Sequence, residues 1–323
     1  MALEFSWQLP LCTPTPTPGQ WIQLAQAVEY AGLDGLWIPG GAPCADSLGV
    51  AAALCAHTRH LHLNVSVPPE VVLPAALAST LQSLQSISAN RVRLHLPDGD
   101  RDSLRQAFGE WLNRDQRNER IGEYLEILQR LLRGGDSGFN FSGRYFQLEN
   151  AGFARRSLPA PPLILDDSHD ARLIASHADL CLLRSAPPAW LEQEIHRLLG
   201  QTGFVCSFGL ILGDTEELAW EVAAQRFPAP AEPPASAAVR RLARDRQLEV
   251  HPNLLQPGPG QPLYLVGNAQ QIATRLGELH GLGIEHIVIQ DQPAVAEVLR
   301  FGERILPLLR EQGLRKERQR HER

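Results

Sequence analysis

Short apolar segments alternate along the chain with longer segments whose apolar residues recur at helical spacing. The short segments predict eight β-strands: Leu3–Leu9, Gly35–Pro39, Leu61–Val67, Arg91–Leu96, Pro162–Leu165, Ala178–Leu183, Phe204–Leu212 and His286–Gln290. The longer segments predict amphipathic helices, as in the stripe of Ile121, Leu125 and Leu128. Eight strands, each followed by a helix, predict a (β/α)₈ TIM barrel. A doubly wound open sheet is the alternative, and the absence of G-x-G-x-x-G after the first strand weighs against it.

Two segments depart from this alternation. The run Phe141–Ala151 reads as a hairpin with Gly143 at its turn, followed by Pro161 and Pro162 before the fifth strand. The segment 227–262 is rich in proline and carries a helix-like stretch, Ala235–Gln247. We predict one TIM-barrel domain over residues 1–323, with 227–262 as an insertion before the last unit. The insertion is either a lid or binding surface, or plain surface decoration.

Composition narrows the class of protein. The formal net charge of −6 argues against nucleic acid as a partner. The five cysteines form no C-x-x-C pair, so we expect reduced thiols and no zinc site. The sequence shows no secretory signal and no apolar run long enough for a membrane span, which predicts a cytoplasmic protein without a membrane partner. No G-x-S-x-G elbow is present, so a Ser-His-Asp arrangement cannot be argued from the sequence.

Several motifs occur together in one order over nearly the whole chain: Phe5–Pro10, Ala31–Pro39, Cys44–Ser47, Phe141–Ala151, Pro252–Leu254, Leu265–Gly267 and Leu282–Ile284. Each is weak alone, but in this order they resemble the bacterial-luciferase-type, flavin-dependent monooxygenases, and most of all the alkanesulfonate monooxygenase branch. The resemblance implies a TIM barrel that receives reduced flavin mononucleotide (FMN), through a separate flavin reductase, and oxidises a small organic substrate.

The resemblance also implies which residues meet the cofactor: Ser66, His95, Asp98, Gly99, Asn118, Asp166, Asp167 and Ser168. Five residues depart from the family pattern. Asp166 and Asp167 replace a Gly-Gly pair that holds the flavin phosphate, and Asn118 replaces a Tyr near the phosphate. Near the flavin ring, His95 replaces an Asn and Asp98 replaces a Thr. Because these carboxylates repel a phosphate, we predict weak FMN binding. The alternative is that the Asp residues of the turn only cap the next helix.

On the substrate side, the resemblance assigns catalytic positions to Cys12, Cys44 and His95. It assigns substrate contacts to Ser207, Gly209 and Asp291. Cationic and donor groups that a sulfonate requires are missing at these positions. A simple alkanesulfonate is therefore not the expected substrate. The neighbouring Asp and His residues of the turn after the fifth strand are not expected to hold a metal ion, because such carboxylates usually cap helices and are solvated.

Placement and association follow from the predicted barrel. We expect the following residues at its C-terminal face, since each ends or follows a strand: Cys12, Cys44, Ser66, His95, Asp98, Asp166, Ser168 and Asp291. Small and apolar residues in the helices Asp46–Ala56 and Leu73–Ser86 predict a homodimer, which light scattering at the monomer mass would exclude.

Three functions stay open from the sequence. The first is a luciferase-like monooxygenase with an altered pocket. The second is a homologue that has lost flavin turnover and acts as a binding or partner protein. The third is a barrel enzyme that uses the Asp and His residues without flavin.

Overall fold

The computed structural model describes residues 2–12, 16–41, 43–98, 102–133, 138–153, 158–198, 202–227, 248–258, 261–290 and 294–315. Two predicted site residues, Gly99 and Asp291, lie outside these ranges, and so does the helix-like stretch of the insertion.

Thirteen strands occur in the described residues: β1 Glu4–Gln8, β2 Gly35–Ile38, β3 His62–Ser66, β4 Val92–Leu96, β5 Phe139–Ser142, β6 Gln147–Ala151, β7 Leu163–Asp166, β8 Leu180–Leu183, β9 Gly203–Leu212, β10 Glu249–His251, β11 Leu254–Leu255, β12 Tyr264–Gly267 and β13 Ile284–Gln290. Strands β1, β2, β3, β4, β7, β8, β9 and β13 follow one another as hydrogen-bonded neighbours and close into a ring. They are the eight strands predicted from the sequence, with ends that differ by at most two residues. The TIM-barrel prediction is confirmed.

The described helices are α1 Pro18–Tyr30, α2 Ser47–Cys55, α3 Pro74–Ser88, α4 Asp102–Ala107, α5 Arg114–Arg133, α6 Ala171–His177, α7 Pro188–Leu198, α8 Glu216–Arg226, α9 Ala269–Gly281, α10 Val295–Arg304 and α11 Leu306–Glu311. The chain divides into two compact units. The first unit comprises Met1–Gln8, Gln26–Asp34 and Leu182–Arg323, and the second unit comprises Leu9–Ala25 and Gly35–Cys181.

In the first unit, aromatic packing and one ion pair fix strand β1. Phe5 and Trp7 are fully buried and meet the ring of Phe301 edge-on, with centroids 5.2 and 6.0 Å apart. Asp34 accepts the backbone N–H of Phe5 at 2.8 Å, and Arg315 donates to both oxygens of Asp34 at 2.7 and 3.0 Å. Asp34, which belongs to the motif Ala31–Pro39, therefore has a structural role: it ties β1 to Arg315, the last described residue.

Three strands of the first unit were not predicted. β10 and β11 form an antiparallel pair, β11 pairs with β12, and β12 runs parallel to the second half of β9. Asn253 turns the chain between β10 and β11 with φ 61°, a left-handed conformation that Asn tolerates better than most residues. These strands have two to four residues, too few to show an alternating pattern.

In the second unit, strands β2, β3, β4 and β7 are parallel neighbours, and the predicted hairpin is present as antiparallel β5 and β6. One carboxylate holds the hairpin turn. Glu123 on α5 accepts the backbone N–H groups of Arg144, Tyr145 and Phe146 at 2.6, 3.0 and 3.0 Å. A Cβ atom on Gly143 would overlap this carboxylate, which explains the glycine there.

Replacing Glu123 with alanine is expected to lower the free energy of unfolding by about 1–3 kcal/mol, because three turn amides lose a charged acceptor. Urea unfolding measures the loss, and hydrogen exchange should speed up at the amides of residues 144–146. The control is Glu126→Ala on the same helix, whose carboxylate forms an exposed pair with Arg130. It should change stability by no more than about 0.5 kcal/mol. Equal effects from the two variants would contradict this role of Glu123.

Candidate active site

Three polar side chains meet where adjacent parallel strands of the second unit end. Ser66 is the last residue of β3, His95 is next to last in β4, and Asp166 is the last residue of β7. The register pairs Ser66 with His95 and places His95 opposite Ile164. Ser66 Oγ lies 2.8 Å from His95 Nδ1, and His95 Nε2 lies 2.8 Å from Asp166 Oδ1. The strand ends thus assemble a continuous Ser-His-Asp chain.

This arrangement could not be argued from the sequence, because it has no local motif: the three residues come from three strands that are distant in sequence. The order of exposure nevertheless differs from that of a hydrolase. Ser66 and His95 are only 4% and 5% exposed, while the Asp166 side chain is 22% exposed. In a nucleophilic triad the serine faces the substrate and the carboxylate is buried. Here Asp166 is the more exposed end of the chain, and the buried Ser66 hydrogen-bonds to Nδ1 on the other side of the His95 ring.

The protonation of the chain follows from the partners of Asp166. Burial acts to raise the pKa of this carboxyl, but the charge and hydrogen bond of His95, the charge of His169 and the backbone N–H of Asp98 together hold the pKa below its usual range. The Asp98 N–H donates to Asp166 Oδ2 at 3.0 Å. Asp166 is therefore a carboxylate at neutral pH, and His95 donates from Nε2. The Ser66 hydroxyl can donate to or accept from Nδ1, so both ring nitrogens of His95 are held by hydrogen bonds.

Asp98 and His169 extend the cluster. Burial raises the pKa of Asp98, against the opposing charges of His169 and Arg117 and a hydrogen bond with Ser168, and the charge of Asp166 raises it further. His169 is 4% exposed and donates from Nε2 to the Leu96 carbonyl at 3.1 Å. Its Nδ1 has no hydrogen-bond partner among the described residues. Two acids with opposite pKa shifts thus lie beside two histidines.

These opposite shifts predict opposite pH dependences of stability. The pKa of Asp166 is lower in the folded state than in the unfolded state. Ionised Asp166 therefore adds to the free energy of unfolding above the unfolded-state pKa of about 4, and this contribution is lost as the pH falls through the folded-state pKa. The pKa of Asp98 is higher in the folded state. Protonated Asp98 therefore adds to the free energy of unfolding below about pH 4, and this contribution is lost as the pH rises through the folded-state pKa.

Asp166→Asn is therefore expected to lower the free energy of unfolding at neutral pH, whereas Asp98→Asn is expected to raise it. Both differences from the unmodified protein should shrink in acid, where the two carboxyls are protonated in the folded and unfolded chains. Urea unfolding at a series of pH values measures this, and each variant serves as the control for the other. If both substitutions changed the free energy of unfolding in the same direction at neutral pH, the opposite pKa shifts of the two residues would be contradicted.

The turn after β7 contains the residues expected at the flavin phosphate. Asp170 is the N-cap of α6 and accepts the Arg172 N–H at 2.8 Å, while the His169 N–H donates to the Asp166 carbonyl at 3.2 Å. Asp167 is buried and Ser168 hydrogen-bonds to Asp98. The capping expected of Asp166 or Asp167 is thus performed by Asp170. A carboxylate of the chain itself already occupies the start of α6.

Cys12 and Cys44 follow β1 and β2, and their sulfur atoms are bonded as a disulfide. The expectation of reduced thiols is wrong for this pair. The bond has no local signal in the sequence, because the two cysteines are 32 residues apart. Cys55, Cys181 and Cys206 are buried thiols that form no disulfide within the part of the chain that the structure describes.

The other predicted site residues lie elsewhere. Asn118 is in the first turns of α5 and is half-buried, and Ser207 and Gly209 are on β9 in the first unit. A Cβ atom on Gly209 would overlap the ring of Tyr264, so packing accounts for this glycine. Of the eight residues expected at the C-terminal strand ends, seven are described, and all seven lie at or after such an end. Their roles stay predictions. One contact was missed: the ring of Trp37, at the end of β2, lies 4.9 Å from that of His95.

Two further features of the described residues bear on the class of site. They contain no group of three or more His, Cys, Asp or Glu side chains arranged to hold a metal ion. Among the helices that the structure describes, none has the length and apolar character of a membrane span.

Comparison with known proteins shows which family of barrel proteins this chain resembles. A family model described as luciferase-like monooxygenase matches residues 4–286. Similar solved structures include a riboflavin lyase with modified FMN and riboflavin (18% identity, TM-score 0.76, covering 98% of this chain and 93% of the other). An EDTA monooxygenase from Chelativorans sp. BNC1 is similar at 16% identity and a TM-score of 0.76, over 98% of this chain and 95% of the other. The oxygenating constituent of 3,6-diketocamphane monooxygenase from Pseudomonas putida in complex with FMN is similar at 16% identity and a TM-score of 0.71, over 95% of this chain and 99% of the other.

At these identities the solved structures establish the shared fold, and the alkanesulfonate branch stays a prediction. The family model matches from the first residue of β1 into the start of β13, so it includes residues of all eight strands of the ring. The chain therefore belongs to the family of luciferase-like monooxygenases and is an oxidoreductase enzyme.

Proposed function

We propose that the protein is a flavin-dependent monooxygenase that takes reduced FMN from a separate reductase and oxidises a small organic substrate other than a simple alkanesulfonate. The observation that carries the proposal is the family match over residues 4–286. Two of the similar structures contain FMN or a modified FMN, by their own descriptions. The match favours an enzyme over a binding protein that has lost turnover.

The described residues fit this cofactor only in part. The turn after β7 does not fit a phosphate, because Asp166 is ionised beside it and the Asp170 carboxylate caps α6. The proposal therefore treats the flavin as a weakly held co-substrate and assigns it no step at this turn.

The chain's own contribution is a carboxylate held in a fixed position at the strand ends. His95 is held on both ring nitrogens, by Ser66 and Asp166, so its orientation is fixed. Asp166 is the more exposed end of this hydrogen-bonded chain. We propose that His95 acts as a positioning residue that keeps the Asp166 carboxylate in place.

The test is a titration with reduced FMN under anaerobic conditions and with oxidised FMN in air, followed by the quenching of flavin fluorescence. We expect saturable quenching with both, at a dissociation constant weak enough for the protein to purify without colour. The same titration of urea-unfolded chain is the control. Quenching that never saturates, or that the unfolded chain reproduces, would contradict flavin dependence.

A further inference from the structure

The disulfide between Cys12 and Cys44 joins two loops of the second unit, one that follows β1 and one that follows β2. The loop after β2 also contacts the serine of the Ser-His-Asp chain. Ser47 Oγ donates to the Ser66 carbonyl at 2.6 Å, and a Cβ atom on Gly40 would overlap the oxygen of the same carbonyl. The disulfide therefore cross-links two loops beside the candidate active site.

The two bonded cysteines differ from the other three in their access to solvent. Cys12 is exposed and Cys44 is half-buried, whereas every cysteine outside the bond is buried. A disulfide is reduced when a thiolate attacks one of its sulfur atoms and releases the other, so a bond that solvent can reach is reduced more readily than a buried one. The exposure of Cys12 points to a bond that is made and broken in the folded protein.

The two loops also have contacts that do not involve the sulfur atoms. The Leu9 N–H donates to the Trp37 carbonyl at 2.8 Å, and Leu11 is buried next to the exposed cysteine. In the other loop, the Asp46 carboxylate caps α2 by accepting the Gly49 N–H at 2.7 Å. Because these contacts persist when the sulfur atoms separate, we expect the protein to be folded in its reduced and in its oxidised form.

We propose that Cys12 and Cys44 form a redox-modification site that hydrogen peroxide oxidises and a dithiol reduces, with Cys12 as the cysteine that reacts first. In oxidation, the Cys12 thiolate attacks one peroxide oxygen, the O–O bond breaks, and Cys12 becomes a sulfenic acid. The Cys44 thiolate then attacks the Cys12 sulfur, forms the S–S bond and displaces hydroxide. Both peroxide oxygens leave as hydroxide and take up the two thiol protons, so two water molecules form.

Reduction reverses the bond without peroxide. One thiolate of the dithiol attacks Cys12 Sγ and releases Cys44 as a thiolate, and the second thiol of the reductant then displaces Cys12 and closes its own disulfide. For the source of peroxide the inference rests on the proposed function, because oxygen that takes two electrons from reduced FMN without oxidising a substrate leaves as hydrogen peroxide. The pair would then record turnover without substrate, at loops that contact Ser66.

The test is a cycle of reduction and oxidation of the full chain without denaturant, followed by counting reactive thiols with a chromogenic disulfide reagent. Dithiothreitol should expose the two thiols of the pair, equimolar hydrogen peroxide should remove both, and dithiothreitol should restore them. The matched control is Cys55→Ser, which removes a buried cysteine outside the bond and should cycle like the unmodified protein. A bond that dithiothreitol reduces only in urea, or reduced thiols that peroxide leaves unchanged, would overturn the proposal.

Single substitutions show which cysteine reacts first. In Cys44→Ser, the sulfenic acid of Cys12 has no partner thiol, so dimedone should trap it and mass spectrometry should locate the label. In Cys12→Ser, labelling of Cys44 should be several-fold lower, because Cys44 is less exposed. Equal or stronger labelling of Cys44 would overturn the order of attack.

The peroxide is added directly, so these results do not depend on flavin. A pair that cycles in a protein without saturable FMN quenching would overturn the proposed function and leave the redox site intact. A pair that does not cycle in a protein that binds FMN would overturn the redox site alone.

Discussion

Replacing Arg315 with alanine is expected to lower the free energy of unfolding by about 3–5 kcal/mol, the usual cost of breaking a buried ion pair from one side. The Arg315 side chain is 5% exposed. It donates to both carboxylate oxygens of Asp34 and to the carbonyls of Gly32 and Leu3. Truncation leaves the Asp34 charge and two carbonyls without these donors in a largely dry site, while Asp34 must still hold the N–H of Phe5.

Urea unfolding at neutral pH measures this loss. Arg315→Lys should recover only part of it, because an ammonium group cannot reproduce the forked contact with both oxygens. The control is Arg144→Ala, which breaks an exposed pair with Glu119 and should cost less than about 1 kcal/mol. A loss at Arg315 no larger than that at Arg144 would contradict the structural role assigned to the pair.

The barrel was predictable because its signal is local. Each ring strand is a short apolar run, and the burial of parallel strands on both faces makes such runs continuous. The three short strands of residues 249–267 carry no such signal. β11 has only two residues, and its pairing depends on β12 and β9, which a local pattern does not reveal. The hairpin was predicted from Gly143, but its anchor on Glu123 comes from a helix some twenty residues earlier.

The sequence predicted where the site residues lie but not the hydrogen bonds that join them. Ser66, His95 and Asp166 were expected at strand ends, and they are there. The hydrogen bonds among them depend on the register of β3, β4 and β7, which the sequence does not encode locally. The pairing of Cys12 with Cys44 is non-local for the same reason.

Removing the carboxylates around the turn after β7 is expected to tighten FMN binding, from near millimolar toward micromolar dissociation constants. One like-charge contact near a partly exposed surface costs roughly 1–4 kcal/mol, and about 1.4 kcal/mol changes affinity tenfold. The sequence alone suggests Asp166→Gly with Asp167→Gly. The structure adds a cost to the first substitution, because glycine at 166 would leave the His95 Nε2–H and the Asp98 N–H without their acceptor.

The sharper variant therefore keeps Asp166 and combines Asp98→Thr with Asp167→Gly. It removes two negative charges beside the turn and retains the Ser-His-Asp chain, so FMN affinity should rise by about tenfold or more. Riboflavin, which lacks the phosphate, should bind with little change, and Glu192→Gln, at an exposed position of α7, controls for net charge. Fluorescence titration of the unmodified protein, the double variant and the control with each of the two ligands measures all six combinations. Because the argument is one of charge against phosphate, an equal gain for FMN and riboflavin would show that shape, and not repulsion, limits binding. Micromolar binding of FMN by the unmodified protein would show that the acidic turn does not oppose the phosphate at all.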